Sequence, residues 1–193
     1  MSELNHLGNL IVAAREGDIR AREQLVRQWL PTVLGWCVRL GGPLIDPEET
    51  AQDVMMIVLD KVHKVFDPER FPSWLFGVTR RVIARNRRRV WMRRWAPGGL
   101  PEMASEAPDA HARLESSELG RRVQEILHEL PAKQREVLVL VDLEERTAIE
   151  VAALLDIPPG TVKSRLRLAR QKLRKLGAER GLDEAIRAEG GTP

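Results

Sequence analysis

Two runs of basic residues carry most of the chemistry in this chain. Residues 161–175 hold seven Lys and Arg and no acid, and residues 80–94 hold eight Arg and no acid. Cations at that density bind a polyanion. In the later run Lys163, Arg167, Arg170 and Arg174 recur at i, i+4, i+7 and i+11, so a helix would gather them on one face. Val162, Leu166, Ala169 and Leu173 repeat the same spacing one residue earlier and form an apolar stripe roughly 100° away. In the earlier run Asn86, Trp91 and Trp95 are interleaved with Arg80, Arg81, Arg85, Arg87, Arg88, Arg89, Arg93 and Arg94. Arginines hold a sugar-phosphate backbone, aromatics stack on bases and amides read base edges, a combination suited to single-stranded DNA or an opened duplex. Trp74, a little upstream, fits either core packing or a DNA-facing role. Trp91 and Trp95, close to a linker, read as packing residues.

A third group is acidic. Asp46, Glu48, Glu49 and Asp53 are close enough in sequence to hold a divalent metal. A helix N-terminus accounts for Glu48 and Glu49 more simply, because negative charge there suits the helix dipole. Gln52 and Asp53 then lie beside an apolar stripe, free to meet a protein partner. The four histidines, His6, His63, His111 and His128, are scattered, with no metal-ligand spacing to another His or to the lone Cys37. Gly41-Gly42 and Gly98-Gly99 punctuate helices and form no phosphate loop. No Ser, His and Asp grouping indicates nucleophilic catalysis. The chain therefore reads as a binding protein with no enzyme activity, no cofactor and no metal.

The elements that must position these residues are all helical; no alternating strand pattern appears. Thr147 can cap a short helix whose apolar residues are Ala148, Val151, Ala152 and Leu155. Residues 156–160, Asp-Ile-Pro-Pro-Gly, break it, and Pro158 or Pro159 starts the next helix, since proline is tolerated in the first turn. A short helix, a tight turn and a basic amphipathic helix make a helix-turn-helix, with one face packed and the other entering a major groove. Upstream, Pro131 opens a regular helix expected over residues 132–142, preceded by a helix through Leu119, Val123, Ile126, Leu127 and Leu130.

In the first half, Leu7, Leu10, Ile11 and Ala14 mark one helix, and Asp18 can cap the next, which carries Ala21, Leu25, Trp29 and Val33 at four-residue steps. Pro31 would kink or divide that helix. Asp46 caps a helix beginning at Pro47, with Val54, Ile57, Val58, Val62 and Val65 at helical spacing. Ser73 can cap the arginine-rich helix. Residues 96–117, with Pro97, Gly98, Gly99, Pro101 and Pro108 among scattered acids, read as a flexible linker. The expected organisation is all-α: a helical domain over residues 1–95, the linker, a helix-turn-helix domain over residues 118–178, and a tail over residues 179–193 with one short helix at about 182–188.

With 193 residues and a net charge of only +3, bulk charge says little; the two basic patches imply two contacts with one polyanion. Neither a signal peptide nor a membrane span is apparent, and a lone cysteine forms no internal disulfide, so a buried thiol and a cytoplasmic protein are expected.

The order of motifs is specific. DPEETAQDVMMIVLDKV, FPSWLFGVTRRVIARNRRR, an acidic linker, LPAKQREVLVL and VAALLDIPPGTVKSRLRLAR together resemble an extracytoplasmic-function sigma factor of the sigma-70 family. The resemblance spans about residues 17–175. It implies that Asp46, Glu49, Gln52, Asp53 and Val54 dock on core RNA polymerase, at the coiled coil of the largest subunit, with the flap as a further contact. It implies that Trp74, Arg80, Arg81, Arg85, Asn86, Arg87 and Arg88 open and capture the −10 element. It also implies that Gly160, Thr161, Lys163, Ser164, Arg165, Arg167 and Arg170 read the −35 element. Promoter DNA and an anti-sigma protein are the implied partners. Arg81, Arg85 and Leu168 differ from the Asn, Asp and basic residue usual at those positions, which alters the −10 donor pattern and removes one phosphate contact. Two other readings compete: a helix-turn-helix regulator acting without polymerase docking, and a nuclease-like enzyme using the acids of residues 46–53 with a metal.

Overall fold

The structure is a computed structural model that describes residues 2–95 and 118–182. It divides into two compact units, Met1–Ser105 and Glu106–Pro193, and every element among the described residues is helical. The expected linker at 96–117, and the tail from residue 183 with most of its expected helix, lie outside the described residues.

Among the described residues the N-terminal unit has four helices: α1 (Ser2–Glu16), α2 (Ile19–Gly41), α3 (Pro47–Lys61) and α4 (Phe71–Trp95). Two 3₁₀ turns, Val62–Lys64 and Pro68–Arg70, link α3 to α4. Capping sets the helix starts. Asp18 Oδ1 accepts from the backbone N–H groups of Arg20 and Ala21 at 2.8 and 3.1 Å. Asp46 Oδ1 does the same for Glu48 and Glu49 at 2.8 and 3.0 Å. Between α2 and α3, Gly42 has φ of 87°, a backbone that only glycine adopts without strain, and a Cβ on Gly41 would come within 2.7 Å of Ile45 Cδ1. Pro31 does not divide α2. Its ring is on the exposed face, where the carbonyl deprived of its helical N–H partner is open to water.

The helices close on a core of Leu10, Ile11, Leu25, Val33, Val54, Val58 and Leu75. Trp36 meets Phe76 edge-on at 4.8 Å, and Phe71 lies between Trp29 and Trp74 at 5.5 and 5.7 Å. Burying one such side chain stabilises the fold by about 1.5–3 kcal/mol. These aromatics join α2 to the first turns of α4 and so fix where the arginine run begins. Cys37 sits in the same core, and burial pushes its thiol up to about 12, which keeps it protonated and unreactive.

The C-terminal unit has α5 (Glu118–Glu129), α6 (Ala132–Leu138), α7 (Ala148–Leu155) and α8 (Pro159–Glu179). Leu127, Leu130, Leu138 and Ala169 form its centre, with Val123, Leu166 and Leu173 packed against them. The apolar stripe expected of α8 is thus the stripe that is buried. The helix after Pro131 departs from expectation, because it widens into a π turn at Val139–Leu143. The last helix also runs past residue 178, so the expected domain end cuts through its final turn.

Candidate nucleic-acid interfaces and docking helix

In the N-terminal unit the site is a pair of packed helices, α3 and α4. Thr50, Ala51, Val54, Met55 and Val58 point inward along α3, while Glu49, Gln52 and Met56 point out. Val54 is 0% exposed, so it packs α3 against the core and offers no surface to a partner; that corrects the expectation of a contact there. Along α4, Leu75, Phe76, Val78, Thr79, Val82, Ile83 and Asn86 point inward. Arg81, Arg85, Arg87, Arg88 and Arg89 point out, and Arg80 is half-buried. Arg81, Arg87 and Arg88 make no ion pair among the described residues.

A polar network ties the two helices together. Thr50 Oγ1 donates to the carbonyl of Asp46 at 2.6 Å. Asn86 Nδ2 donates to Thr50 Oγ1 at 3.3 Å and to Asp53 Oδ2 at 3.2 Å. Arg85 Nη2 donates to the same Asp53 oxygen at 2.8 Å, and Arg89 Nη2 donates to Glu49 Oε1 at 3.1 Å. Two expectations change as a result. Asp53 is not unpaired as expected, since its Oδ2 already holds Arg85 and Asn86, so a docking partner would meet an engaged carboxylate. Asn86 is 3% exposed with its amide engaged, so it joins α3 to α4 rather than reading a base. A buried amide left without acceptors would cost about 1–3 kcal/mol, which is why the position is filled this way.

The tryptophans divide differently from expectation. Trp74 is half-buried against Phe71 and keeps an open edge, so packing and exposure coexist there. Trp91, expected to pack, is 57% exposed on the outer part of α4. The side chain of Trp95 lies outside the described residues.

In the C-terminal unit, Thr147 and Glu150 form a capping box. Glu150 Oε2 accepts from the Thr147 N–H and hydroxyl at 2.7 Å each, and the Glu150 N–H donates to Thr147 Oγ1 at 3.3 Å. The hydrogen bonds from Thr147 hold the Glu150 carboxyl below its ordinary pKa. α7 ends on Asp156 in the left-handed region, φ 53° and ψ 53°, with its N–H bonded to the Ala152 carbonyl. Pro158 and Pro159 then start α8.

A face of α8 roughly 100° round from the buried stripe carries Lys163, Arg167, Arg170 and Arg174, all exposed, with Ser164 beside them. Arg165 and Thr161 are half-buried at its flank. Ser164 Oγ donates back to the Thr161 carbonyl at 3.0 Å, which leaves the hydroxyl oxygen free to accept. Gly160 needs no special backbone, and a Cβ there would meet nothing within 4 Å, so the fold does not require this glycine. Arg170 is the exception on this face. Its Nε and Nη2 donate to Asp142 Oδ2 and Oδ1 at 3.0 and 2.6 Å, and the paired carboxylate pushes its pKa further up. Asp142 belongs to the π turn. Sequence reasoning missed this pair, as it missed Glu49–Arg89 and Asp53–Arg85. Each joins residues 28 or more positions apart, which helical spacing cannot register.

Among the described residues no three His, Cys, Asp or Glu side chains are grouped to hold a metal ion.

Comparison with known proteins places both units. Residues 25–93 match the family Sigma-70 region 2, and residues 120–173 match Sigma-70, region 4. The ECF RNA polymerase sigma factor RpoE of Cereibacter sphaeroides is 34% identical over 170 residues, covering 82% of this chain and 87% of the relative. Among solved structures, CnrH in complex with the cytosolic domain of CnrY is 29% identical with a TM-score of 0.61, covering 86% of this chain and 94% of that one. The sigma factor RpoE of Bartonella quintana, solved with the anti-sigma factor NepR, shares the fold at 24% identity and a TM-score of 0.61, covering 80% and 94%. A region 2 bundle, a region 4 helix-turn-helix and a relative 34% identical over most of both chains leave one assignment: the chain is an RNA polymerase sigma factor of the ECF family.

Proposed function

We propose that this sigma factor acts through three contacts and leaves bond-making to the polymerase. Region 2 corresponds to residues 1–95 and region 4 to residues 118–178. Glu49, Gln52 and Asp53 on α3, positioned by the Asp46 cap, dock on the coiled coil of the largest core subunit, and region 4 adds a contact to the flap. Arg80, Arg81, Arg85, Arg87 and Arg88 on α4, with Trp74, hold the −10 non-template strand. The first turns of α8, with Gly160, Thr161, Lys163, Ser164, Arg165 and Arg167, enter the major groove at −35, and Arg170 reaches the backbone further along.

The observation that carries this reading is α8 itself. Its apolar stripe is buried on Leu127, Leu130 and Leu138, and its basic stripe is left facing out behind a tight turn. α4 supports the second contact, since exposed arginines and an exposed Trp91 suit a splayed strand. Unstacking costs a few kcal/mol per base, and capture on such a surface returns part of it, which makes opening favourable. The complex of CnrH, 29% identical, with the cytosolic domain of CnrY supports a protein partner for this chain, and an anti-sigma factor is the partner proposed. The cytoplasm, where polymerase and promoter meet, is its place of action; no helix among the described residues is long and apolar enough to cross a membrane.

Run-off transcription with purified core polymerase on sheared DNA from the source organism tests the reading. Adding the protein is expected to produce discrete, sigma-dependent transcripts. Core polymerase that ignores its presence on every template would reject the assignment of these contacts.

A further inference from the structure

On the proposed surfaces a docking residue, Asp53, is paired with a strand-capturing one, Arg85, and a second docking residue, Glu49, is paired with Arg89, a further arginine of the same helix. Glu49 and Asp53 lie one turn apart on α3, and Arg89 and Arg85 lie one turn apart on α4. They pair in antiparallel order, Glu49 with Arg89 at 3.1 Å and Asp53 with Arg85 at 2.8 Å. A cationic group brought to Asp53 by a docking partner shares that carboxylate's charge with Arg85, and a phosphate brought to Arg85 shares its charge with Asp53, so each newcomer weakens the existing pair.

We propose that the α3 carboxylates are internal competitors for the strand-binding arginines, so that core docking and single-strand capture are thermodynamically coupled through Asp53–Arg85 and Glu49–Arg89. The proposal rests on the assignment of α4 to strand capture given above. The two partners of the first pair differ in freedom. Asp53 is anchored by the buried Asn86, which is itself held by Thr50, and its side chain is 29% exposed. Arg85 is 57% exposed on a long, flexible stem and is the member that moves. A docking surface that brings a Lys, an Arg or an amide donor to Asp53 and Glu49 displaces the two arginines towards solvent, where a strand can take them. By linkage, a bound strand raises affinity for that docking surface by the same factor. In the free protein the paired arginines are masked, which lowers affinity for nucleic acid away from polymerase. Exposed ion pairs are individually weak, so the masking is a matter of several-fold changes and not of an all-or-none lock.

The test uses the full chain without polymerase. Binding of a fluorescein-labelled, mixed-sequence single-stranded DNA is followed by anisotropy over a range of salt. The double variant Glu49→Gln, Asp53→Asn keeps hydrogen-bonding groups at both sites, and Glu49→Gln alone, on the more exposed pair, covers the case in which the double variant fails to fold. Glu48→Gln removes one acid from the same helix that holds no arginine among the described residues. The double variant is expected to bind about three- to tenfold tighter than the natural chain, as releasing two weak pairs allows. Its log-affinity against log-salt slope is expected to steepen by about 0.7 for each arginine released to a phosphate. Glu48→Gln, changing only net charge, leaves that slope where it was. An unchanged slope in the double variant and in Glu49→Gln overturns the coupling, as does an equal gain in Glu48→Gln. A separate variant, Arg87→Gln with Arg88→Gln, keeps the two failures apart. If it binds the strand as well as the natural chain, α4 is not the strand surface and both readings fall; if it loses binding while the acid variants change nothing, only the coupling falls.

Discussion

The two basic helices of this sigma factor hold their charge in different ways. On α8, Lys163 and Arg167 stand exposed with no ion pair among the described residues, while further along Arg170 is tied down by Asp142 of the π turn. On α4, Arg85 and Arg89 are bound to acids of the neighbouring helix, and the amide between them is buried. In the reading proposed above, the first helix meets a rigid duplex, whose groove exists before the protein arrives. In the same reading, the second meets a ligand that exists only after the duplex opens, and two of its arginines, Arg85 and Arg89, are held by acids until then. A surface that reads duplex needs only to be presented; a surface that takes a melted strand benefits from being held back.

The sharpest way to break the comparison is to unfold one side of it. Trp36→Ala removes a fully buried ring that meets Phe76 edge-on and is expected to destabilise the N-terminal unit by about 3–5 kcal/mol. Denaturant unfolding followed at the two units separately would show that loss in the N-terminal transition. Duplex binding through α8 is expected to survive it. Next in size are Lys163→Ala and Arg165→Ala. If they contact bases, each relaxes preference at its own −35 position by about 1–3 kcal/mol, measured on a panel of single-base promoter variants. A uniform loss across the panel would make them phosphate contacts.

Smaller effects separate the positioning of α8 from its contacts. Thr147→Ala removes the capping box in front of α7 and is expected to cost about 1 kcal/mol of stability in the C-terminal unit. The Glu150 carboxyl sits below its ordinary pKa because Thr147 donates to it, so its contribution is present above the unfolded carboxylate range and disappears as pH falls through the folded value. Thermal melts from pH 7 down to pH 3 should show that acid sensitivity reduced in Thr147→Ala. Gly160→Ala is expected to stabilise α8 by at most about 1 kcal/mol, since the fold has room for the methyl group. If DNA backbone approaches this first turn closely, the same substitution weakens duplex binding, and a gain in stability with no loss of binding would move the contact further along the helix.

Much of the fold was legible because helix starts and stripes are local. Asp18, Asp46 and Thr147 cap where their side-chain chemistry says they should. The Val162, Leu166, Ala169 and Leu173 stripe is buried as its spacing implies. The all-α class followed from the same local signals, and the family from the resemblance of the motifs and their order. What was not legible depends on residues distant in sequence. Asp53 looked free because nothing near it in the chain could bind it; its partners are on a helix 32 residues away. Asn86 looked like a base reader because amides beside arginines often are, and only packing against Thr50 shows it buried. The π turn at Val139–Leu143 leaves no mark in helical periodicity, yet Asp142 reaches Arg170 from it. Trp91 is exposed because it lies beyond Asn86, the last buried position of α4 among the described residues.

The central claim is that α8 reads duplex while α4 captures the opened strand. It is tested most directly on holoenzyme formed with core polymerase, by measuring closed-complex formation and permanganate reactivity of unpaired thymines at one promoter. Lys163→Ala with Arg165→Ala is expected to lose the closed complex. Arg87→Ala with Arg88→Ala is expected to form the closed complex at near-natural affinity and to leave the thymines unreactive. Loss of both variants at the same step would contradict the account.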